Sequence, residues 1–122
     1  MSLSNHVFVA IFISAWQSSR FSQTNINSGE IDSILIEHRG DTLFPSSRKL
    51  SNEKVKHFTH DWNKASSIGP CKYLPKYHLK VYHKDGTIRG FRANGKTIKE
   101  KDDYGFQMKD ENYFEKLWES TK

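Results

Sequence analysis

The stretch that most constrains the fold is residues 77–98, YHLKVYHKDGTIRGFRANGKTI. It places two turn signals, Asp85-Gly86 and Asn94-Gly95, between runs of β-branched, aromatic and basic residues. Such dipeptides between runs of this kind are strong short-range signals for β-hairpins. The stretch therefore predicts a three-stranded antiparallel meander.

The length of the first loop decides which side chains share a face of the meander, because cross-strand partners lie on the same face. A two-residue loop would put Leu79 beside Arg92 and leave neither face apolar. A three-residue loop, residues 84–86, pairs Leu79 with Phe91 instead. Since a buried face specifies register strongly, we predict the three-residue loop, with Gly86 in the left-handed conformation.

This register separates an inner face from an outer face. A two-residue turn at Asn94-Gly95 then places Ile98 opposite Phe91. Arg89 also falls on the inner face, which is tolerable if it lies near the end of the sheet. The predicted inner face carries Leu79, Val81, Phe91 and Ile98, and the outer face carries His78, Lys80, Tyr82, Lys84, Ile88 and Arg92.

Two elements are predicted before the meander. Residues 30–38 form a strand with Ile34 and Ile36 facing inward, and residues 42–44 form a short return strand. A helix then begins at Ser51, a good N-cap, and is stopped by Gly69-Pro70. Its apolar stripe consists of Val55, Phe58, Trp62 and Ala65.

Residues 104–108 are predicted as a fourth meander strand, followed by a short helix that Asp110 caps. The predicted buried edge of that helix consists of Tyr113, Phe114, Leu117 and Trp118. Together these elements predict one α+β domain, residues 30–122, in which an antiparallel β-meander sheet packs against one main helix, with a short C-terminal helix.

Residues 1–29 are predicted to lie outside that domain, as an apolar segment and a polar linker. The apolar run, residues 7–16, is too short for a stable membrane span, which needs roughly 20 residues. Two interpretations stay open. A signal-peptide core would send the protein to the periplasm or the cell exterior, whereas a retained core strand or helix would leave it in the cytoplasm.

The charge of the chain concentrates in the meander. The 122 residues carry a net charge of +5. Residues 71–101 hold nine Lys and Arg against two acids, a balance of +7, whereas residues 102–122 hold three against six, a balance of −3. The basic excess favours acidic partners in general.

Catalytic and metal-binding patterns are weak in this sequence. His57 and Asp61 lie one helical turn apart, but a zinc site needs three or four ligands and the others cannot be named. The six histidines are scattered, and Cys71 is the only cysteine. We therefore predict that the protein is not an enzyme and needs no cofactor or metal.

The outer face is the best candidate for a binding site. Lys80, Lys84 and Arg92 surround Tyr82, and His78 lies close by. Such a surface can bind a protein or an acidic ligand, or it can hold phosphates while the aromatic ring stacks on a base. The same residues can equally serve solubility, with lysine and arginine stems covering apolar neighbours.

The meander and the last helix also carry a resemblance to known domains. The run YHLKVYHKDGTIRGFRANGKTIKE, followed by YFEKLW, resembles small uncharacterised domains of exported bacterial proteins. Those domains share a hydrophobic strand, K-D-G-T, R-x-F, N-G and a closing F-x-x-L-W helix. The resemblance covers residues 69–118 and implies an α+β fold outside the cytoplasm, with no functional residues to transfer.

These observations predict a non-enzymatic binding module of an exported bacterial protein, with a protein or acidic ligand as its partner. A nucleic-acid-binding domain that uses the basic outer face is the alternative. An exposed sheet edge is a ready site for adding a strand, so a homodimer through such an edge is a further hypothesis.

Overall fold

The structure is a computed structural model that describes residues 23–39 and 46–122. Within these residues the chain forms a seven-stranded antiparallel sheet with two α-helices, which confirms the predicted α+β fold. A short 3₁₀ turn, Ser28–Glu30, precedes the sheet. The strands are β1 (Ile31–His38), β2 (Ser46–Lys49), β3 (Ser66–Pro70), β4 (Tyr77–His83), β5 (Ile88–Asn94), β6 (Thr97–Lys99) and β7 (Tyr104–Gln107), and the helices are α1 (Asn52–Asn63) and α2 (Tyr113–Glu119).

The strands follow the order β2-β1-β4-β5-β6-β7-β3 across the sheet. The meander β4-β5-β6-β7 therefore forms the middle of the sheet, and β1 lies beside β4. Ile34 and Ile36 of β1 are fully buried, which confirms the predicted strand and its inward face. The predicted return strand, residues 42–44, and the apolar run, residues 7–16, lie outside the described residues.

The first meander loop has the predicted three residues. Tyr82 pairs with Ile88, and the His83 N–H donates to the Thr87 carbonyl oxygen at 2.8 Å. The Gly86 N–H donates back to the His83 carbonyl at 3.0 Å, and Gly86 has a φ of +92°. A glycine with positive φ at this position is typical of a three-residue hairpin loop.

Replacing Gly86 by alanine should lower the free energy of unfolding by about 1 kcal/mol, because a Cβ strains a backbone with positive φ. Gly90 is the matched control within the same hairpin, since its φ lies outside that region and an added Cβ would contact no atom among residues 23–39 and 46–122. Urea denaturation of both alanine variants measures the difference. Equal stabilities for the two variants would contradict the assigned role of Gly86.

The second meander turn differs from its prediction by one position. Asn94 pairs with Thr97 and Ala93 with Ile98, so the turn residues are Gly95 and Lys96. Gly95, at a φ of +63°, supplies the positive φ that the first position of such a turn requires. The predicted pairing of Ile98 with Phe91 is therefore wrong. Ile98 still faces inward, because a shift of two residues along a strand keeps the face.

The core lies between the inner face of the sheet and the two helices. The Trp62 ring packs edge-on against Phe91, with centroids 5.0 Å apart, and against Phe106 at 5.3 Å. Phe58 meets Phe91 in the same T-shaped manner at 6.0 Å. The predicted inner-face residues are all buried, namely Leu79, Val81, Phe91 and Ile98.

Helix α1 begins where the sequence predicts and ends earlier. The Ser51 side chain accepts a hydrogen bond from the Lys54 N–H at 3.2 Å, which confirms the N-cap. The helix ends at Asn63 instead of continuing to Gly69-Pro70, and β3 forms in its place. The physical reason is that β7 offers residues 66–70 a ladder of backbone hydrogen bonds that competes with the helix.

The prediction that Asp110 caps the final helix is wrong. Helix α2 begins at Tyr113, and the residue before it, Asn112, has a φ of 56° and gives no side-chain cap. The Phe114 N–H instead donates to the Gly95 carbonyl at 3.0 Å, so the meander turn satisfies a donor at the helix start. The apolar edge of the helix is confirmed for Phe114, Leu117 and Trp118, which are buried, and Tyr113 packs partly buried against the core.

Arg89 faces inward at the end of the sheet and is satisfied there. Its guanidinium forms a two-pronged ion pair with Glu100, with both N–O distances at 2.7 Å. It also donates to the carbonyl oxygens of Thr24 at 2.8 Å and Asn25 at 3.1 Å. Residues 24 and 25 are thereby attached to the sheet, while the predicted domain boundary after residue 29 stays a prediction.

Candidate functional site

Within the residues that the structure describes, the outer face of the sheet is uncovered over β1, β4 and β5, because both helices pack on the inner face. Phe58 of α1 contacts Phe91, and Trp118 of α2 lies 6.5 Å from the Tyr77 ring, both on the inner side. We call the open region the outer patch. It consists of Leu35, Lys49, Lys80, Tyr82, Ile88, Gly90 and Arg92.

Strand register places the members of the outer patch next to one another. Lys80 lies between Leu35 of β1 and Gly90 of β5, and Lys49 of β2 lies on the other side of Leu35. Tyr82 pairs with Ile88 in the neighbouring row. Basic and apolar side chains therefore alternate in the row of Lys49, Leu35 and Lys80, and an aromatic–apolar pair occupies the next row.

The structure brings together four of the five site residues that the sequence predicts. His78, Lys80, Tyr82 and Arg92 all project from the outer face of β4 and β5, since they alternate with the buried residues. The fifth, Lys84, is an exposed residue of the hairpin loop. Its N–H donates to the Glu30 carbonyl oxygen at 2.9 Å, which attaches the loop to the 3₁₀ turn, beyond the end of the strand.

Lys80 and Lys49 supply the available charge of the outer patch. Both are exposed, and within the described part of the chain neither forms an ion pair. Ile88, on the strand next to Lys80 and one row away, exposes 57% of its surface. An exposed isoleucine near the unpaired Lys80 forms a surface of mixed chemistry, on which a partner can bury apolar area and neutralise charge together.

His78 contributes less positive charge to this region than an ordinary histidine would. Partial burial and then the neighbouring Arg39 guanidinium lower the pKa of His78 below its ordinary value of 6.5. Glu37 lies opposite His78 on β1 and forms an ion pair with Arg39. Because the charges of Glu37 and Arg39 cancel, this pair adds no net charge next to the outer patch. The unpaired positive charge of the patch lies at Lys49 and Lys80.

A loop covers the rest of the outer face, over β6 and β7. The Tyr73 hydroxyl donates to the Arg92 carbonyl oxygen at 2.8 Å, and the Lys99 ammonium lies 4.4 Å from the Tyr73 ring centroid. Lys99 is only 3% exposed and donates to Cys71 O and Asp103 Oδ1, both at 3.2 Å. Hydrogen bonding to Lys99 lowers the pKa of Asp103, and burial raises that of Tyr73.

Arg92 borders both regions. Its Nη2 donates to the Asp102 carbonyl oxygen at 2.6 Å, so the guanidinium is oriented toward the covered side. The covering loop and the buried Lys99 were not foreseen from the sequence. Residues 71–75 carry no periodic pattern, and no sequence signal distinguishes Lys99 from the exposed lysines of the meander.

Of the histidine and aspartate that lie one turn apart on α1, only the aspartate serves packing. The Asp61 carboxylate accepts a hydrogen bond from the Tyr113 hydroxyl at 2.6 Å, which joins α1 to α2. Burial, and then this hydrogen bond, raise the pKa of Tyr113 above its usual range. His57 is exposed and lies 4.0 Å from Glu53. Across residues 23–39 and 46–122, no group of three or more His, Cys, Asp or Glu could hold a metal ion.

Two depressions lie away from the outer patch. A groove of 640 Å³ runs between α1 and residues 25–30, and polar side chains such as Lys56, His60 and Asn63 line it. A smaller depression of 320 Å³ lies between the 3₁₀ turn and the first meander loop, beside His83. Neither brings together a nucleophile and a base.

Both sheet edges carry features that disfavour the addition of a strand. Edge strand β2 has only four residues, and Arg48 and Lys49 are two of them. Edge strand β3 contains Pro70 and an irregular register between Ser67 and Gly69. Short strands, basic residues, proline and bulges all protect edges against pairing, so a homodimer through an edge stays a hypothesis that these features do not favour.

None of the helices in the described residues is long and apolar enough to cross a bilayer. Protein-family models, curated proteins and solved structures were compared with the sequence or the fold, and no match was found.

Proposed function

We propose that this protein is a non-enzymatic binding module whose outer patch binds an acidic segment of another protein. The observation that carries the proposal is the row Lys49, Leu35, Lys80 on the open face of the sheet. Its two cations have no ion-pair partner among the described residues, and the exposed Ile88 lies one row away. Carboxylates with apolar neighbours complement such a surface in charge and in hydrophobicity.

The distribution of cations favours protein over nucleic acid. A protein that binds nucleic acid tightly neutralises several phosphates with lysine and arginine. On the outer patch, Lys49 and Lys80 have no ion-pair partner among the described residues, whereas Arg92 is held by a backbone carbonyl. Next to the patch, Arg39 is paired with Glu37, and the lowered pKa of His78 reduces its positive charge. Two available cations suit one or two carboxylates better than a phosphate backbone.

The experiment measures binding of a short fluorescent peptide in which glutamate alternates with leucine, by fluorescence anisotropy at low salt. Replacing both Lys49 and Lys80 by glutamine should raise Kd about tenfold, because it removes two charges while keeping the aliphatic stems. Lys56→Gln is the matched control, since Lys56 is an exposed lysine of α1, which packs on the other face of the sheet.

The specificity controls separate the alternatives. A peptide with glutamine in place of every glutamate should bind more weakly than the acidic peptide, and a single-stranded oligonucleotide should bind more weakly still. Absence of binding by the acidic peptide, or equal loss in the Lys56 control, would overturn the proposal. Tight and steeply salt-dependent oligonucleotide binding would favour the nucleic-acid alternative instead.

A further inference from the structure

Gly90 occupies the middle of the outer patch. It lies in the interior of β5, opposite Lys80, and its neighbours on the same face of the strand are Ile88 and Arg92. Neighbouring strands lie about 4.8 Å apart, and the next residue on the same face lies about 7 Å away. The missing side chain therefore leaves a gap in the surface, bounded by Lys80, Ile88 and Arg92.

The fold itself does not require a glycine at this position. The φ of Gly90 lies outside the left-handed region, and a Cβ added there would meet no atom of the described residues within 4 Å. Gly105 on β7 is different, because a Cβ at that residue would lie 2.4 Å from the Cys71 sulfur. Packing thus explains Gly105, whereas neither backbone conformation nor packing explains Gly90.

A glycine in the interior of a strand costs about 0.5–1 kcal/mol relative to alanine and often marks a close approach by a ligand or another backbone. With neighbouring strands about 4.8 Å apart and same-face residues about 7 Å apart along a strand, the missing side chain leaves room for a small planar group. The exposed Lys80 forms the positively charged side of the gap, and Ile88 forms its apolar side. These two sides fit a carboxylate whose neighbouring residue is apolar.

We propose that the gap over Gly90 receives one aspartate or glutamate side chain of the acidic partner segment. This inference rests on the proposed function and names the contact that determines specificity within it. The carboxylate accepts a hydrogen bond from the Lys80 ammonium, and the adjacent apolar side chain of the partner packs on Ile88 and Tyr82. Gly90 acts by leaving room, so a side chain at that position excludes the carboxylate without changing any charge.

The test is a size series at one position, Gly90→Ala and Gly90→Val, measured with the same peptide of alternating glutamate and leucine. Gly90→Val should raise Kd about tenfold, and Gly90→Ala by a smaller factor, because the added volume clashes with the bound carboxylate. Thr97→Val is the control, since it places a valine on the outer face of β6, outside the gap, by exchanging a hydroxyl for a methyl group. Thermal unfolding should show both glycine variants at least as stable as the native protein, since alanine and valine suit a strand better.

The outcomes separate this inference from the proposed function. If Gly90→Val binds as well as the native protein or better, while the double glutamine variant of Lys49 and Lys80 loses affinity, the gap is unoccupied and only this inference is overturned. If the native protein does not bind the acidic peptide, the proposed function fails and this inference fails with it. Equal losses of peptide affinity in Gly90→Val and Thr97→Val would also overturn the inference that the gap receives a carboxylate.

Discussion

Replacing Trp62 by alanine should lower the free energy of unfolding by about 4 kcal/mol, the largest effect that we expect from a single substitution in this protein. The indole is completely buried, and it packs edge-on against Phe91 and Phe106. Its Nε1 donates a hydrogen bond to the Thr24 carbonyl oxygen at 2.8 Å. Alanine would leave a large cavity between α1 and the sheet and would remove this bond.

The matched control for that prediction is Ile88→Ala, which removes an apolar side chain from the exposed face. It should change stability by less than about 0.5 kcal/mol, because Ile88 is largely in water already. Urea denaturation with tryptophan-independent detection, such as far-ultraviolet circular dichroism, measures both variants. Similar losses for Trp62 and Ile88 would show that α1 is not packed on the sheet as described.

Arg89→Met should be the second most destabilising change, at about 3 kcal/mol, because it leaves the Glu100 carboxylate largely buried without its partner. The two side chains expose only 14% and 12% of their surfaces. The same guanidinium donates to the carbonyl oxygens of Thr24 and Asn25. The substitution therefore also detaches the segment before the 3₁₀ turn from the sheet.

Two comparisons test the cause of that loss by denaturation. Lys96→Met breaks the ion pair with Glu111, whose side chain is 77% exposed, and should cost at most about 1 kcal/mol. The double variant Arg89→Met, Glu100→Leu should recover part of the stability, since no unpaired charge then remains inside. A double variant less stable than Arg89→Met alone would show that the loss does not come from the unpaired carboxylate.

The inner face of the meander was predictable because it depends on local rules. The length of a hairpin loop fixes which residues pair across it and therefore share a face. The positions of the apolar residues on either side of the loop indicated that length. The same reasoning placed His78, Lys80, Tyr82 and Arg92 together on the outer face. The position of the second turn was missed by one residue, but the two-residue period of a strand kept Ile98 inside.

The errors occurred where distant parts of the chain compete for the same backbone. Residues 66–70 form a strand because β7 lies beside them, a contact between segments more than thirty residues apart. Asp110 does not cap the last helix, because the Phe114 N–H at the helix start donates to the Gly95 carbonyl oxygen and not to a capping side chain. Propensity describes only what a segment prefers in isolation, and here tertiary hydrogen bonds outweighed it.

The sequence by itself determined the alternation of the meander, the N-cap at Ser51, the apolar edge of the last helix and the concentration of positive charge on one face. Those features depend on side-chain spacing and turn chemistry within short segments. Only the tertiary structure decided which of the positive charges are available. Lys99 lies buried under Tyr73, Arg92 donates to a backbone carbonyl oxygen, and Lys80 stays exposed beside the gap at Gly90. The local sequence does not determine these outcomes, because they depend on which loop passes over which strand.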